Sequence, residues 1–203
     1  MTQLPPRPTL ALIAGPNGAG KSTFYETVVK PRFKAPFINA DIIQRDELQD
    51  PDVMASYRAG KIAAERHGEC IGAGKSFVTE TVFSHPSKLD LLKTARAAGF
   101  RLVVFHLLLE SADLAVARVA HRYSEGGHDV PEDKIRARFQ RNGTYIREGI
   151  LMADRGAVYD ASGLNTAPRQ LATFNRGVPD YVADGTPDIF TQIYGGDCKP
   201  AES

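Results

Sequence analysis

Residues 9–23 read Thr9-Leu-Ala-Leu-Ile-Ala-Gly15-Pro16-Asn17-Gly18-Ala19-Gly20-Lys21-Ser22-Thr23. Thr9 to Ala14 is a short apolar run closed by Gly15 and Pro16, which is how a fully buried strand reads. Gly15 to Ser22 then fits G-x-x-x-x-G-K-[ST] at every fixed position, and residues 20–30 carry a helical pattern that Pro31 stops. Strand, glycine loop and helix in that order define a phosphate cradle. The glycines let the backbone curl and turn its N–H groups toward phosphate oxygens, and the helix start adds a positive dipole end. Lys21 supplies a cation for the outer phosphates of ATP, and Ser22 offers a hydroxyl to Mg²⁺. Residues 15–23 are therefore the expected ATP site.

The same alternation continues outward. Strands are expected at Phe37 to Ala40, Ser76 to Glu80, Arg101 to Leu108 and Val158 to Asp160, with a last edge strand at Gln170 to Phe174. Helices are expected after Asp50-Pro51, with Asp50 as cap. Others cover residues 86–98, with Gly99 behind them, Ser111 to about Tyr123, and Pro131 to about Gly149. Strands alternating with helices predict an α/β fold: a doubly wound parallel sheet of about five strands, of the P-loop kinase type with a helical lid. The expected organisation is a leader over 1–8, a kinase domain over 9–175 with its lid at about 118–141, and a C-terminal extension over 176–203.

Composition narrows the function. The 203 residues carry 25 cations and 24 anions, 42% are hydrophobic, and there are two cysteines. That balance excludes a DNA-coating protein, an acidic disordered chain and a disulfide scaffold. No apolar segment approaches the roughly 20 residues of a membrane span, and the expected location is the cytoplasm. Residues 1–150 carry a net +4 and residues 151–203 a net −3. The positive excess thus lies with the cradle.

A P-loop alone does not choose between kinases, GTPases and transport ATPases. There is no Asn-Lys-x-Asp, and Asp160-Ala-Ser-Gly163 lies too far along the chain to act as a GTPase switch. The Arg101 to Leu108 strand leads into Glu110 with no Asp before it, unlike a transporter ATPase. A kinase remains. Ligands in parallel sheets bind beyond the carboxyl ends of the strands. Two acids stand there: Asp41 after Phe37-Ile-Asn-Ala, and Glu80 after Phe77-Val-Thr. Asp41 is the candidate base for an acceptor hydroxyl and a candidate metal contact with Ser22. Glu80, followed by Thr81, is the candidate anchor for the acceptor. Arg118, Arg122, Arg136, Arg138 and Arg141 cluster in the expected lid around Gly126-Gly127-His128, where guanidinium groups neutralise a moving phosphoryl group.

Several segments together resemble the zeta-toxin-like P-loop kinases, in particular their short bacterial members. They are Ile13 to Thr23, Phe37 to Asp41, Phe77 to Thr81, Ala117-Arg118-Val119, Gly126 to Pro131 followed by Ile135-Arg136, and Val158 to Asp160. The resemblance implies ATP-dependent phosphorylation of a hydroxyl on a small molecule, UDP-N-acetylglucosamine in the best-known members, and an antitoxin partner. It implies Asp41 as base, Glu80 at the acceptor, and Arg122 and Arg136 as the lid arginines on phosphate. The family often has Glu-Thr-Thr where this chain has Glu80-Thr81-Val82. Two alternatives stand beside this one. A nucleic-acid end kinase would show salt-sensitive oligonucleotide binding, but no aromatic platform accompanies the basic lid. A non-catalytic ATP-binding partner protein would bind nucleotide without transfer.

Overall fold

The apolar run after the proline-rich start forms β1 (Thr9–Ala14), the middle strand of a seven-stranded sheet in this computed structural model. The structure describes residues 7–50, 52–124 and 130–198. β1 is flanked by β3 (Phe77–Thr81) and β4 (Arg101–Leu108), both parallel to it. β2 (Phe37–Ile38) pairs with β3, and β5 (Arg155–Asp160) with β4, again in parallel. β6 (Arg169–Asn175) and β7 (Val178–Val182) extend this sheet as antiparallel strands, giving the order β2-β3-β1-β4-β5-β6-β7. The fold is α/β with a mostly parallel sheet.

Two expectations change. The sheet has seven strands rather than about five. Five form the parallel set, and Gln170 to Phe174 lies inside the sheet because β7 covers its outer side. The strand signal of β7 is broken by Pro179, which an edge strand tolerates because one side needs no ladder donor. The expected boundary at residue 175 thus falls between two paired strands. The helix expected after Asp50 is α3 (Val53–Gly72), labelled here after the shorter α1 and α2 below. Its cap is Asp52, whose carboxylate accepts from Met54 N. Asp50 instead accepts from Asp52 N and pairs with Arg58 at 2.6 Å.

The first helix, α1 (Lys21–Phe24), continues as a π-helical stretch over Tyr25–Val29. Tyr, Thr and Val are weak helix formers, each costing up to about 0.7 kcal/mol. Burial of Phe24, Tyr25 and Val29 outweighs this, since a buried large apolar side chain contributes about 1.5–3 kcal/mol. α2 (Ala40–Ile42) likewise runs on as a π-helical stretch, Ile43–Leu48. α4 (Ser87–Ala97), α5 (Ala112–Ser124), α6 (Glu132–Met152) and α7 (Asp188–Tyr194) complete the described helices.

Side chains alternate across the sheet and cores form on both faces. Leu10, Leu12, Phe77, Leu102 and Val104 meet Ala59 and Ala63 of α3, Leu89 and Leu92 of α4, and Ile146 and Ile150 of α6. Ala11, Ile13, Val78, Leu107 and Leu109 meet Phe24, Tyr25, Ala115, Val119 and Ile135. A parallel sheet buried on both faces is thereby satisfied. α7 joins the first core through Phe190 and Tyr194, and the Tyr194 hydroxyl is hydrogen-bonded to His106 Nδ1 at 2.7 Å. Arg147 holds Asp197 behind α7 by two bonds of 2.6 and 2.5 Å. At the other end, Arg7 reaches the Gly99 and Phe100 carbonyls, so the residues just before β1 are tied to β4. Among the described residues no helix is long and apolar enough to cross a membrane.

Candidate functional site

The glycine loop sits where β1 ends and α1 begins, and its glycines answer to local geometry. A Cβ on Gly15 would lie 2.4 Å from the Leu107 carbonyl oxygen, so the loop leaves β1 flush against the end of β4. Gly20 has φ of 75° and is followed at once by α1, whose start no side chain caps. A Cβ at Gly20 would meet no atom within 4 Å. The mouth of the loop is therefore open, and uncapped helix N–H groups accompany it.

Lys21 folds back over this mouth, donating from Nζ to the Gly15 and Pro16 carbonyls at 3.2 and 3.0 Å. Burial lowers its pKa. Glu80 and Asp41 oppose that shift, while Arg122 and Arg138 add to it. Five charged groups from five elements thus act on one another at the carboxyl ends of the strands. The exposed Ser22 hydroxyl donates to Glu80 Oε2 at 3.0 Å, a direct link between the loop and β3. Burial raises the Glu80 pKa, and Asp41 adds to the rise. Lys21, the Ser22 bond and a weaker bond from Asn39 pull the other way.

Asp41 is exposed in the first turn of α2. Its backbone is set by Asn39, whose Oδ1 accepts from Asp41 N at 2.7 Å and Ile42 N at 3.2 Å. Thr81 directs its hydroxyl to its own chain, accepting from Phe83 N at 3.1 Å. Thr23 and Ser22 are exposed on α1, and Ala19 is buried. Asn17 Oδ1 is buried with no hydrogen-bond partner among the described residues.

The lid arginines separate into groups. Arg122 and Arg138 act on Lys21. Arg118 spends its guanidinium on four carbonyls: Gly18 at 3.4 Å, Ala161 and Ser162 at 2.8 Å each, and Gly163 at 2.9 Å. It clamps the crown of the glycine loop to the loop after β5. Arg136 is engaged with Asp113 at 2.6 Å and Glu132 at 2.8 Å. Arg141 donates to Ala137 O one turn back. The expected hinge, Gly126-Gly127-His128, lies outside the described residues. Sequence reasoning missed Asn39 and the clamp role of Arg118. Asn in the residue just before a predicted helix start is a cap signal that pointed to the first; nothing local pointed to the second.

A family model described as an AAA domain matches residues 10–142, about two thirds of the chain and the whole stretch from β1 into α6. The chain belongs to the AAA domain family. This AAA domain protein is 29% identical over 128 residues to an uncharacterised protein of Haemophilus influenzae, covering 62% of this chain and 88% of that one. It is similar in fold to AvrRxo1-ORF1:AvrRxo1-ORF2, solved with sulphate ions, at a TM-score of 0.68 and 13% identity. The match covers 97% of this chain and 66% of that chain, so this chain spans just under two thirds of its length. The same complex solved with ATP gives a TM-score of 0.67. The PezAT chromosomal toxin-antitoxin system of Streptococcus pneumoniae matches at 0.61 with 14% identity, covering 97% of this chain and 82% of that chain. At these identities the likeness is one of fold.

Proposed function

We propose that this AAA domain protein is a zeta-toxin-like P-loop kinase that moves the γ-phosphoryl group of ATP to a hydroxyl of a small molecule. The working unit is the domain over residues 9–175, with residues 118–141 as its lid, and the proposed setting is the cytoplasm, where ATP is available. The observation that carries the reading is the convergence on Lys21 of two carboxylates and two guanidinium groups, with Ser22 bonded to Glu80. A phosphoryl-transfer site needs this mixture: cations for the moving group and a carboxylate for the hydroxyl that attacks it. The likeness in fold to a complex solved with ATP and to a toxin-antitoxin system supports it.

The loop fits a triphosphate, because its mouth is open at Gly20 and Lys21 stands over it. When ATP binds, Lys21 exchanges its two carbonyl partners for phosphate oxygens at little cost, since the carbonyls lie on the same loop. The hard oxygen donors of Ser22 and Asp41 suit Mg²⁺, which would bridge the phosphates and offset their charge. Asp41, exposed in its helix turn, orients the acceptor hydroxyl and takes its proton as the bond to phosphorus forms. Glu80 and Thr81 line the acceptor side. Arg122 and Arg138 neutralise the transferred group. Arg136 would join them only by leaving Asp113 and Glu132.

UDP-N-acetylglucosamine or a related nucleotide sugar is the proposed acceptor, and an antitoxin the proposed protein partner. Incubation with ATP, Mg²⁺ and UDP-N-acetylglucosamine, read by mass spectrometry, is expected to give a product heavier by one phosphate. Unchanged sugar nucleotide together with phosphorylated oligonucleotide ends would move the assignment to a nucleic-acid end kinase.

A further inference from the structure

Asn39 stands at the point where the β2–β3 ladder stops. The paired residues are Phe37 with Val78 and Ile38 with Thr79. One step further, Asn39 lies in register with Glu80, and side chains take over from the backbone. Asn39 is only 4% exposed, so each end of its amide needs a partner. The oxygen end accepts from Asp41 N and Ile42 N, which starts α2. Backbone N–H groups are donors, so Oδ1 faces them and the NH₂ end is left for an acceptor. The Glu80 carboxylate, already holding the Ser22 hydroxyl at 3.0 Å, is that acceptor.

We infer that Asn39 is a positioning residue that fixes Asp41 and Glu80 relative to each other and to Ser22. One rigid amide spans the base side and the acceptor side of the cleft. The inference rests on the proposed kinase reading for its consequence but on the hydrogen bonds for its geometry. No common substitute does both jobs. Ser caps a helix but is too short to reach Glu80. Asp caps equally well but sets an anion against Glu80. Ala does neither. Misplacing a reacting group by about 1 Å costs on the order of 100-fold in rate.

Asn39→Ser, Asn39→Asp and Asn39→Ala are compared with wild type by thermal melting, by binding of a fluorescent ATP analogue without metal, and by turnover of MgATP to ADP with water or UDP-N-acetylglucosamine as acceptor. The Ser and Asp variants are expected to melt close to wild type and to bind the analogue within about twofold, yet to turn over about 10- to 100-fold more slowly. Only the Ala variant is expected to lose stability as well. If turnover follows the melting temperature across all three, or the Ser variant turns over like wild type, Asn39 is a helix cap and nothing more. A crystal structure of Asn39→Ser decides the geometry even where wild type shows no turnover, a result that would count against the kinase reading alone. The inference expects α2 to begin as before and the Glu80 carboxylate to leave Ser22 Oγ. A retained Glu80–Ser22 bond overturns it.

Discussion

Gly15→Ala is the substitution for which the structure gives the sharpest expectation. The new methyl would sit 2.4 Å from the Leu107 carbonyl oxygen and 3.2 Å from Leu107 Cβ. The first neighbour is backbone in the middle of the sheet, buried and paired with β5, so it has nowhere to go. The glycine loop must move instead. Forcing a methyl into a packed interior costs about 1–3 kcal/mol. For a chain of this size each kcal/mol lowers the melting temperature by about 2–4 °C, so a fall of roughly 2–12 °C is expected. Gly15 N also donates to Thr81 O at 3.3 Å, and a displaced loop gives this up as well. Gly20→Ala is the control. Its methyl would meet open space, and the cost is that of a left-handed φ of 75°, about 1–2 kcal/mol. Both are followed by circular dichroism melting and by ATP binding in a calorimeter. Gly15→Ala should lower stability at least as much as the control and abolish measurable ATP binding, because the Lys21 partners Gly15 O and Pro16 O move with the loop. A Gly15→Ala protein that melts within 1 °C of wild type and binds ATP normally would show that the close approach to Leu107 is not a constraint.

Other expectations follow from single contacts. Asp41→Asn should reduce phosphoryl transfer by about 10²- to 10⁴-fold, the range for a lost general base, while ATP affinity in calorimetry stays near wild type. Equal losses in both would remove Asp41 from the chemistry. Arg118→Ala strips the donor from four loop carbonyls. Its expected signature is a stability loss of about 1–3 kcal/mol in urea unfolding; an unchanged midpoint with weakened ATP binding would make Arg118 a phosphate ligand after all. Burial lowers the pKa of His106 to about 3, against an ordinary value of 6.5. The unfolded chain therefore binds a proton more readily, and the stability from neutral His106 is fully present above about pH 6.5 and falls as pH drops toward 3. Between pH 7.5 and 5 this one residue should cost about 2 kcal/mol in urea unfolding. His106→Asn should flatten that part of the profile. His67, lowered to about 4 by burial, adds a dependence of the same sign.

The parts of the fold carried by local pattern were legible in the sequence. β1 and β4 are apolar runs, α4 ends at Gly99 with φ of 85°, and Ser111 caps α5 through Leu114 N. β7 was not legible because Pro179 and its polar neighbours carry no strand pattern; the strand exists because β6 offers it a free edge. The candidate site divides in the same way. Lys21, Ser22, Asp41 and Glu80 stand in or next to strand ends, and the sheet alone brings them together. The lid arginines do not. A run of basic residues says that cations are near, but which of them meets carbonyls, carboxylates or the cleft depends on partners up to about 45 residues away, such as Gly163 for Arg118. Asn39 falls between: its cap role is local, and its bond to Glu80 comes from the β2–β3 register.

The central claim is that residues 15–22, Asp41 and Glu80 form one phosphoryl-transfer site. The most direct test is to feed the protein γ-labelled ATP, Mg²⁺ and a bacterial small-molecule extract, and to follow the label by mass spectrometry. The account predicts that label passes to the hydroxyl of a discrete metabolite with wild type and not with Lys21→Ala or Asp41→Asn. Label that remains in ATP and free phosphate, or that reaches the same product with Asp41→Asn at the wild-type rate, would contradict it.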